Sequence, residues 1–279
     1  MRCAICHAKY SGRLYVAVPP ILLFKCKKCE SWFVSPRPRQ AKMTALHDRE
    51  EYSKHPYFET RRKFVTPPAL TTLKKLLPNK FWKKKQIKIL DVGCDHGDLL
   101  ISVEKLGNTK LFGIEVSQRA AQVAAKRGVR VHTLSLETAP KEFSKFDLIT
   151  LIDVLEHVAH PNRMIADLFR RSGRGGYLYL ETPNPKSCIY TLGIFLSKTP
   201  LRVMPALRRL FPCEHIQYFS LTALIKSLTL AGWKIIYYGN KKLESSQLAV
   251  PRPVASILEI LQKIDSPSNR ILSCVLAQK

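Results

Sequence analysis

The sequence has few acidic residues, no long apolar run and no secretory leader pattern. No apolar run in its 279 residues reaches the ~18 that a membrane-spanning helix needs, so we expect no transmembrane segment. The first ten residues lack the apolar stretch of a secretory signal, which favours a cytoplasmic protein. Because the apolar fraction is 46%, wholesale disorder is excluded. Internal repeats and low-complexity segments are also missing.

The excess of basic over acidic residues is largest in the first third of the chain. Residues 1–90 hold 21 Lys or Arg against 5 Asp or Glu, and the whole chain has a net charge of +25. Such a local excess indicates an anionic partner: RNA, a phosphorylated carrier or an anionic membrane surface at the inner membrane face. A surface that only keeps the protein soluble is the alternative.

In the cytoplasm, eight cysteines are expected as metal ligands or buried thiols rather than disulfides. Four of them form two C-x-x-C pairs: Cys3, Cys6, Cys26 and Cys29. Four thiolates complete a closed tetrahedral shell around Zn²⁺, with no open position for catalysis. Between the pairs, residues 14–18 and 21–24 are predicted as short strands broken by two prolines. The pattern predicts a zinc ribbon over residues 1–38, held by a structural zinc ion.

Two features follow the second C-x-x-C pair. Trp32, Phe33 and Val34 are expected to cover the ribbon. Residues 39–86 are then predicted to form a basic, mostly helical linker that ends just before the first core strand. The string CKKCESWFVSPRP resembles the N-terminal segment of bacterial methyltransferases that carry a zinc ribbon.

Residues 87–98, IKILDVGCDHGD, predict a strand, a glycine-containing loop and the start of a helix. A second strand ends in Glu115, so the unit has the outline of a Rossmann-type nucleoside site. A dinucleotide loop needs glycine at positions 95 and 98, but both residues are aspartate. With Asp91 they make a poor environment for a pyrophosphate. They favour S-adenosylmethionine (SAM), which has no phosphate and carries an ammonium and a sulfonium.

From residue 87 to 279 the motifs resemble class I SAM-dependent methyltransferases, in the family's order: IKILDVGCDHGDLL, KLFGIEVS, FDLITLIDVLEHVAHP and RGGYLYLETPNP. The resemblance implies an α/β fold, a Rossmann-like seven-stranded sheet with helices on both faces, preceded here by the ribbon. It assigns these residues to SAM: Asp91, Gly93, Cys94, Asp95, Gly97, Glu115, Val116, Glu137 and Asp153. The family usually has glycine at the position of Asp95. A binding protein that has lost catalysis is the alternative.

The acceptor side is predicted after a third strand, residues 146–152. Asp153, Glu156 and His157 have the i, i+3, i+4 spacing of one helical face, and His215 lies in a later stretch expected to return across the pocket. The turn resembles the metal site of ubiquinone-pathway O-methyltransferases and of enzymes that methylate the 3′-terminal 2′-hydroxyl of small RNAs. Three interpretations stay open: a divalent ion such as Mg²⁺ on all four residues, a histidine as general base, or a structural role.

The remaining expectations concern the insertion and the acceptor. Residues 186–212 interleave apolar and basic residues, which is typical of a lid over an active site or of an interfacial helix. A helix over 221–232 and strands over 233–238 and 270–277 would close the sheet. We expect a small, glycan or lipid-linked acceptor, such as a sugar or a quinone-like phenol. RNA is the rival acceptor.

Overall fold

The computed structural model describes residues 2–9, 12–18, 21–37, 66–199, 207–208, 210–241, 260 and 272–279. Most of the predicted linker, residues 39–65, and part of the predicted insertion lie outside these ranges. None of the helices described is long and apolar enough to cross a membrane.

The described strands, in chain order, are β1 (Gly12–Val18), β2 (Ile21–Cys26), β3 (Trp32–Val34), β4 (Ile87–Val92), β5 (Thr109–Ile114), β6 (Arg130–His132), β7 (Phe146–Ile152), β8 (Ser172–Pro183), β9 (Gln217–Tyr218), β10 (Lys234–Lys241) and β11 (Leu272–Gln278). The helices are α1 (Thr66–Leu76), α2 (Asn79–Trp82), α3 (Asp98–Glu104), α4 (Gln118–Lys126), α5 (Pro161–Arg171), α6 (Cys188–Ser197) and α7 (Leu221–Leu230). Two 3₁₀ turns, Leu136–Thr138 and Leu155–His157, follow β6 and β7.

Seven strands form one sheet in the order β10-β11-β8-β7-β4-β5-β6. The five strands from β8 to β6 run parallel, and the β10-β11 hairpin adds antiparallel pairs at one edge. Strands β4 and β7 are mostly apolar at successive positions because parallel sheets are covered on both faces. The predicted seven-stranded methyltransferase sheet is confirmed, and β7 has the predicted bounds.

The ribbon forms a second, antiparallel sheet in the order β1-β2-β3-β9. Residues 32–34, expected to cover the ribbon, are mostly buried and form β3, which pairs with β2 and with the distant strand β9. The backbone N–H and C=O groups on the side of β3 away from β2 need hydrogen-bond partners, and β9 provides them. The ribbon is therefore joined to the rest of the protein through its own sheet.

The ribbon also shares its hydrophobic core with the larger sheet. Cys3, Cys26 and Phe33 belong to the same buried cluster as Leu155 and Leu224. Helix α6, from the predicted insertion, packs against β1 and contributes to a second cluster that includes Val16, Leu23, Trp32, Ile189, Tyr190 and Ile194. The described part of the insertion therefore lies on the ribbon.

Candidate active site

The cofactor loop, residues 93–97, connects β4 to α3 at the carboxyl end of the parallel strands. Gly93 and Gly97 have φ angles of 76° and 79°, in the left-handed region that favours glycine. The Gly93 N–H donates to the Ile114 carbonyl at 2.8 Å, which ties the loop to the end of β5. A Cβ on Gly93 would lie 2.4 Å from Val154 Cγ2, so the loop packs directly against the chain that follows β7.

Glu115 is the acidic residue that follows β5, and it is 9% exposed. Its Oε2 accepts a hydrogen bond from the Asp95 N–H at 2.9 Å, and its Oε1 accepts one from the Ser117 N–H at 2.8 Å. A carboxylate has about four lone-pair positions, so each oxygen can accept a further hydrogen bond. Glu115 therefore fits the two hydroxyls of a ribose.

Three other predicted cofactor residues lie in the loop or just before it. The buried Asp91 carboxylate accepts a hydrogen bond from the Thr150 hydroxyl at 2.6 Å, and Cys94 is buried. Asp95 has a φ of 48°, a conformation that aspartate tolerates better than most residues, and its carboxylate lies 2.8 Å from His96 Nδ1. Asp95 thus takes a conformation in which glycine is usual. The acidic loop suits a cationic amino-acid group better than a pyrophosphate.

The last two predicted cofactor residues lie further along the chain. Val116 directly follows Glu115 and is partly buried. Glu137 lies in the 3₁₀ turn after β6, and its Oε1 is 3.2 Å from Arg163 Nε of α5. This ion pair is solvent-exposed, so it contributes little stability.

Three chemically functional side chains meet beyond the end of β7: Glu156, His157 and His215, which we call the acceptor cluster. Each offers one ligand atom, and these atoms lie within 4.8 Å of one another. The two imidazole centroids are 4.7 Å apart. Glu156 is fully buried, and its Oε2 accepts a hydrogen bond from the Thr182 hydroxyl at 3.0 Å. The structure therefore brings together three of the four residues predicted on the acceptor side.

The hydrogen bonding of His157 identifies the ring nitrogen that carries the proton. Its Nδ1 lies 2.9 Å from the Glu214 carbonyl oxygen, which can only accept. Neutral His157 therefore has its proton on Nδ1 and a lone pair on Nε2. An imidazole in this state can act as a general base or as a metal ligand.

Asp153 lies outside the acceptor cluster. Its φ of 54° is left-handed, and its N–H donates to the Glu181 carbonyl at 3.1 Å. The 3₁₀ turn begins only at Leu155. The prediction that Asp153 shares a helical face with Glu156 and His157 is wrong, because the backbone leaves the right-handed helical conformation at Asp153.

Two buried tyrosines beside the cluster were not predicted. The Tyr218 ring centroid is 5.6 Å from that of His215 and 5.3 Å from that of Tyr190. Burial raises the pKa of both phenols, so both stay protonated at neutral pH. Among the described residues, the buried Tyr218 hydroxyl has no hydrogen-bond partner. The only signal in the sequence was its place three residues after His215.

The four ribbon cysteines have their Sγ atoms within 4.8 Å of one another. The Cys3–Cys29 and Cys6–Cys26 Sγ distances are 3.7 and 3.6 Å. Tetrahedral zinc with Zn–S bonds of ~2.3 Å requires sulfur atoms about 3.8 Å apart, so the thiols fit zinc almost as they stand. The hydrogen bond between Cys3 and Cys29 lowers the pKa of Cys29 to about 5 and raises that of Cys3.

Comparison of the sequence with known proteins gives a match to the family described as "Methyltransferase domain" over residues 57–238. The mitochondrial ubiquinone biosynthesis O-methyltransferase of Candida albicans is 30% identical over 128 residues, which cover 43% of this chain and 39% of that protein. The tRNA U34 carboxymethyltransferase of Campylobacter hominis is 26% identical over 172 residues, 58% of this chain and 60% of that protein. The chain thus spans 39% to 60% of the lengths of these two relatives.

Solved structures show the same fold at low sequence identity. A SAM-dependent methyltransferase from Thermotoga maritima has a TM-score of 0.56 at 18% identity, covering 85% of this chain and 99% of that one. Phosphoethanolamine N-methyltransferase 2 of Haemonchus contortus, solved with phosphomonomethylethanolamine and S-adenosylhomocysteine, has a TM-score of 0.60 at 15% identity, covering 85% and 60%. At these identities the similarity shows the fold alone.

Proposed function

The chain belongs to the class I SAM-dependent methyltransferase family, and we propose that it methylates an oxygen of a small or carrier-linked acceptor. The observation that carries the oxygen acceptor is the His157 ring. Its Nε2 lone pair is set by the Nδ1–H bond to Glu214, within the cluster of Glu156 and His215. An oxygen nucleophile needs such a base, because a neutral hydroxyl is a weak nucleophile.

SAM, when bound, supplies a methyl group on a sulfonium sulfur, and the thioether that this sulfur becomes is a good leaving group. The tasks of the protein are to align the acceptor, exclude water and remove its proton. In the proposed step, His157 Nε2 takes the acceptor proton as the oxygen bonds to the methyl carbon and the carbon–sulfur bond breaks. The Glu214 carbonyl keeps the imidazolium in place through Nδ1–H. The buried Glu156 carboxylate stabilises the positive charge.

A divalent ion on the acceptor cluster is the alternative way to activate the acceptor. Without Asp153, the ligand set is one carboxylate and two imidazoles. Imidazole ligands suit Zn²⁺ or Fe²⁺, whereas Mg²⁺ prefers a shell of oxygen atoms, so this set favours a transition metal over the predicted Mg²⁺. When bound, such an ion would lower the pKa of the acceptor hydroxyl.

The surroundings of the acceptor cluster favour a ring-shaped acceptor. Tyr190 and Tyr218 pack against each other and against Trp32 and Phe211, and Tyr218 contacts His215. These aromatic side chains are almost fully buried, so they form an apolar wall behind the cluster, and a flat, mainly apolar acceptor such as a phenol fits against such a wall. The similarity to ubiquinone biosynthesis O-methyltransferases also supports a quinone-like phenol.

RNA is the second candidate acceptor. The tRNA-modifying relative is one reason, and a basic surface on the ribbon is another. The Tyr15 ring has Arg13, Lys25 and Lys198 within 5.9 Å of its centroid. Cations around an aromatic ring are a common feature of sites that bind nucleic acid. Tyr15 also packs against Trp32, so its ring is only partly accessible.

For the ribbon we propose one structural zinc ion on Cys3, Cys6, Cys26 and Cys29, supported by the sulfur spacing.

For a lipid-linked acceptor we propose contact with an anionic membrane surface through α6. Leu192 and Phe195 are exposed on that helix, Phe195 to 65%, and Lys198 follows one turn later. Apolar side chains next to a cation are typical of interfacial helices.

Transfer of a labelled methyl group from SAM tests the proposed function. The full chain is incubated with a catechol-type phenol, with a sugar acceptor and with tRNA, and co-sedimentation with anionic and neutral vesicles is measured in parallel. We expect incorporation into the phenol or the sugar, and vesicle binding only where lipids are anionic. Incorporation into tRNA, with binding that weakens steeply as salt rises, would replace the proposal by the RNA candidate.

A further inference from the structure

The backbone around His215 lies between the ribbon and the rest of the acceptor cluster. The Val34 N–H, at the end of β3, donates to the Ile216 carbonyl at 2.9 Å. The Ile216 N–H then donates to the Glu156 carbonyl at 3.0 Å. The residue next to His215 is therefore bonded to the ribbon on one side and to the acceptor cluster on the other.

The segment after His215 is held by the second C-x-x-C pair. Strand β9 pairs with β3, with Phe33 opposite Gln217. Beyond β9, the Ser220 N–H donates to Ser31 Oγ at 3.0 Å, and the Ser220 hydroxyl donates to the Cys29 carbonyl at 2.6 Å. The backbone of Cys29, a proposed zinc ligand, is thus hydrogen-bonded to Ser220, the residue that caps α7.

Gln217 connects the ribbon with the turn that carries Glu156 and His157. It is fully buried, and its Nε2 donates to the Leu155 and Val158 carbonyls, both at 2.7 Å. Its Oε1 accepts a hydrogen bond from Arg37 Nη2 at 2.6 Å. Arg37 Nη2 also donates to the Val158 carbonyl at 3.0 Å. The two side chains therefore fix the carbonyls on either side of the acceptor cluster.

The geometry points to Gln217 and Arg37 as positioning residues that couple the fold of the ribbon to the acceptor cluster, an inference that rests on the proposed function of that cluster. A ribbon of this size needs its metal to fold. Loss of zinc removes the partner strand of β9 and releases the segment that carries His215. The cofactor loop keeps its hydrogen bonds to β5 and Glu115, and its packing of Gly93 against Val154 involves no ribbon residue. The zinc site thus governs acceptor geometry but not SAM binding.

Imidazole resonances report this coupling without any acceptor. Long-range ¹H–¹⁵N spectra of the eight histidine rings are assigned by single substitutions and recorded with zinc bound and after its removal by a chelator. We expect the His157 and His215 signals to shift or broaden. His132, on the edge strand β6, and His96, in the cofactor loop, serve as internal controls and should stay in place.

A Gln217→Met variant tests the connection with zinc still bound. Methionine keeps most of the buried volume and removes three hydrogen bonds. The matched control is Gln278→Met, because Gln278 Nε2 donates to the Gly175 carbonyl at the other end of the fold. We expect Gln217→Met to keep one zinc per chain and its SAM affinity within about twofold, while the His157 and His215 signals move and kcat falls more than KM rises.

Two results would overturn the inference. In the first, the His157 and His215 signals stay unchanged after zinc removal and also in the Gln217→Met variant. The other is joint loss of SAM binding and of the His132 signal on zinc removal, which would make the ribbon a requirement for the whole fold. Failure of the proposed function looks different: His157→Ala would keep full activity, while the signals would still respond to zinc.

Discussion

The cofactor side and the acceptor side of the sheet are assembled in different ways. The hydrogen bonds that shape the cofactor loop are mostly short in sequence, such as the one from Asp95 to Glu115, 20 residues apart, although Gly93 also packs against Val154 after β7. The acceptor cluster depends on contacts such as Arg37 to Gln217 and Ser220 to Ser31, which span 180 and 189 residues. The cofactor site is therefore largely local in the chain, whereas the acceptor cluster is made by bringing three distant segments together.

This difference separates the two functions of the protein physically. A β-loop-α-β unit closes short loops, so its geometry is fixed by neighbouring residues at low entropic cost. The acceptor side is fixed only when the ribbon and β9 have paired. Changes in the ribbon can therefore alter acceptor geometry without disturbing SAM. Three variants can break or sharpen this comparison.

The largest effect is expected at the acceptor side. Replacing His157 with alanine removes the proposed base, so we expect kcat to fall about 10²- to 10⁴-fold, while SAM affinity stays within twofold. Steady-state kinetics and calorimetry measure the two quantities. The matched control is His160→Ala, because His160 is exposed and only three residues away. Activity that persists in His157→Ala would remove the base from the mechanism, and loss of activity in EDTA with zinc retained in the ribbon would favour a metal.

The cofactor side should show the opposite pattern. Glu115→Ala is expected to weaken SAM binding by about 1.5–3 kcal/mol, ten- to a hundredfold, through lost charge-assisted hydrogen bonds. The His157 and His215 signals should not move, because the Glu115 carboxylate accepts hydrogen bonds from Asp95 and Ser117 in the cofactor region and not from the acceptor cluster. Calorimetry with Glu104→Ala, an exposed glutamate on α3, provides the control. Unchanged SAM affinity in Glu115→Ala would refute the assignment of Glu115 to the ribose.

The strands and the loop of the cofactor side could be predicted from the sequence because their signals are local. The apolar runs of β4 and β7 each follow from burial on both faces, and the acidic residue after β5 follows from the Rossmann-type spacing. The two C-x-x-C pairs likewise predicted the cysteine cluster, because each pair has the spacing of a zinc knuckle. In each case the residues that form the pattern are only a few tens of residues apart in the chain.

Only part of the acceptor side could be predicted from the sequence. The sequence predicted that His215 meets Glu156 and His157, but not the pairing of β3 with β9 that brings it there. Strands of three and two residues are too short to show an alternation of apolar and polar positions. The conformation of Asp153 was also missed, because a left-handed aspartate cannot be told from a helical one by spacing alone.

The smallest effect concerns a thiol in the large sheet and appears only in alkali. Burial raises the pKa of Cys274 on β11 from 9.0 to about 11. A group whose pKa is raised by folding stabilises the protein below its unfolded pKa, and that stability is lost as the pH rises towards the folded pKa. The thiol therefore ionises at lower pH in the unfolded chain than in the folded protein. The free energy of unfolding should be lower by on the order of 2 kcal/mol at about pH 10.5 and almost unchanged at pH 8.

Urea unfolding of Cys274→Ala should show a correspondingly flatter loss of stability over this range. Cys213→Ala, which removes an exposed thiol, should behave like the wild-type protein. The zinc content and the His157 signal should be the same in both variants, since Cys274 belongs to the large sheet and not to the ribbon. Parallel pH curves for Cys274→Ala and the unchanged protein would show that this thiol does not ionise in the folded state differently from the unfolded chain.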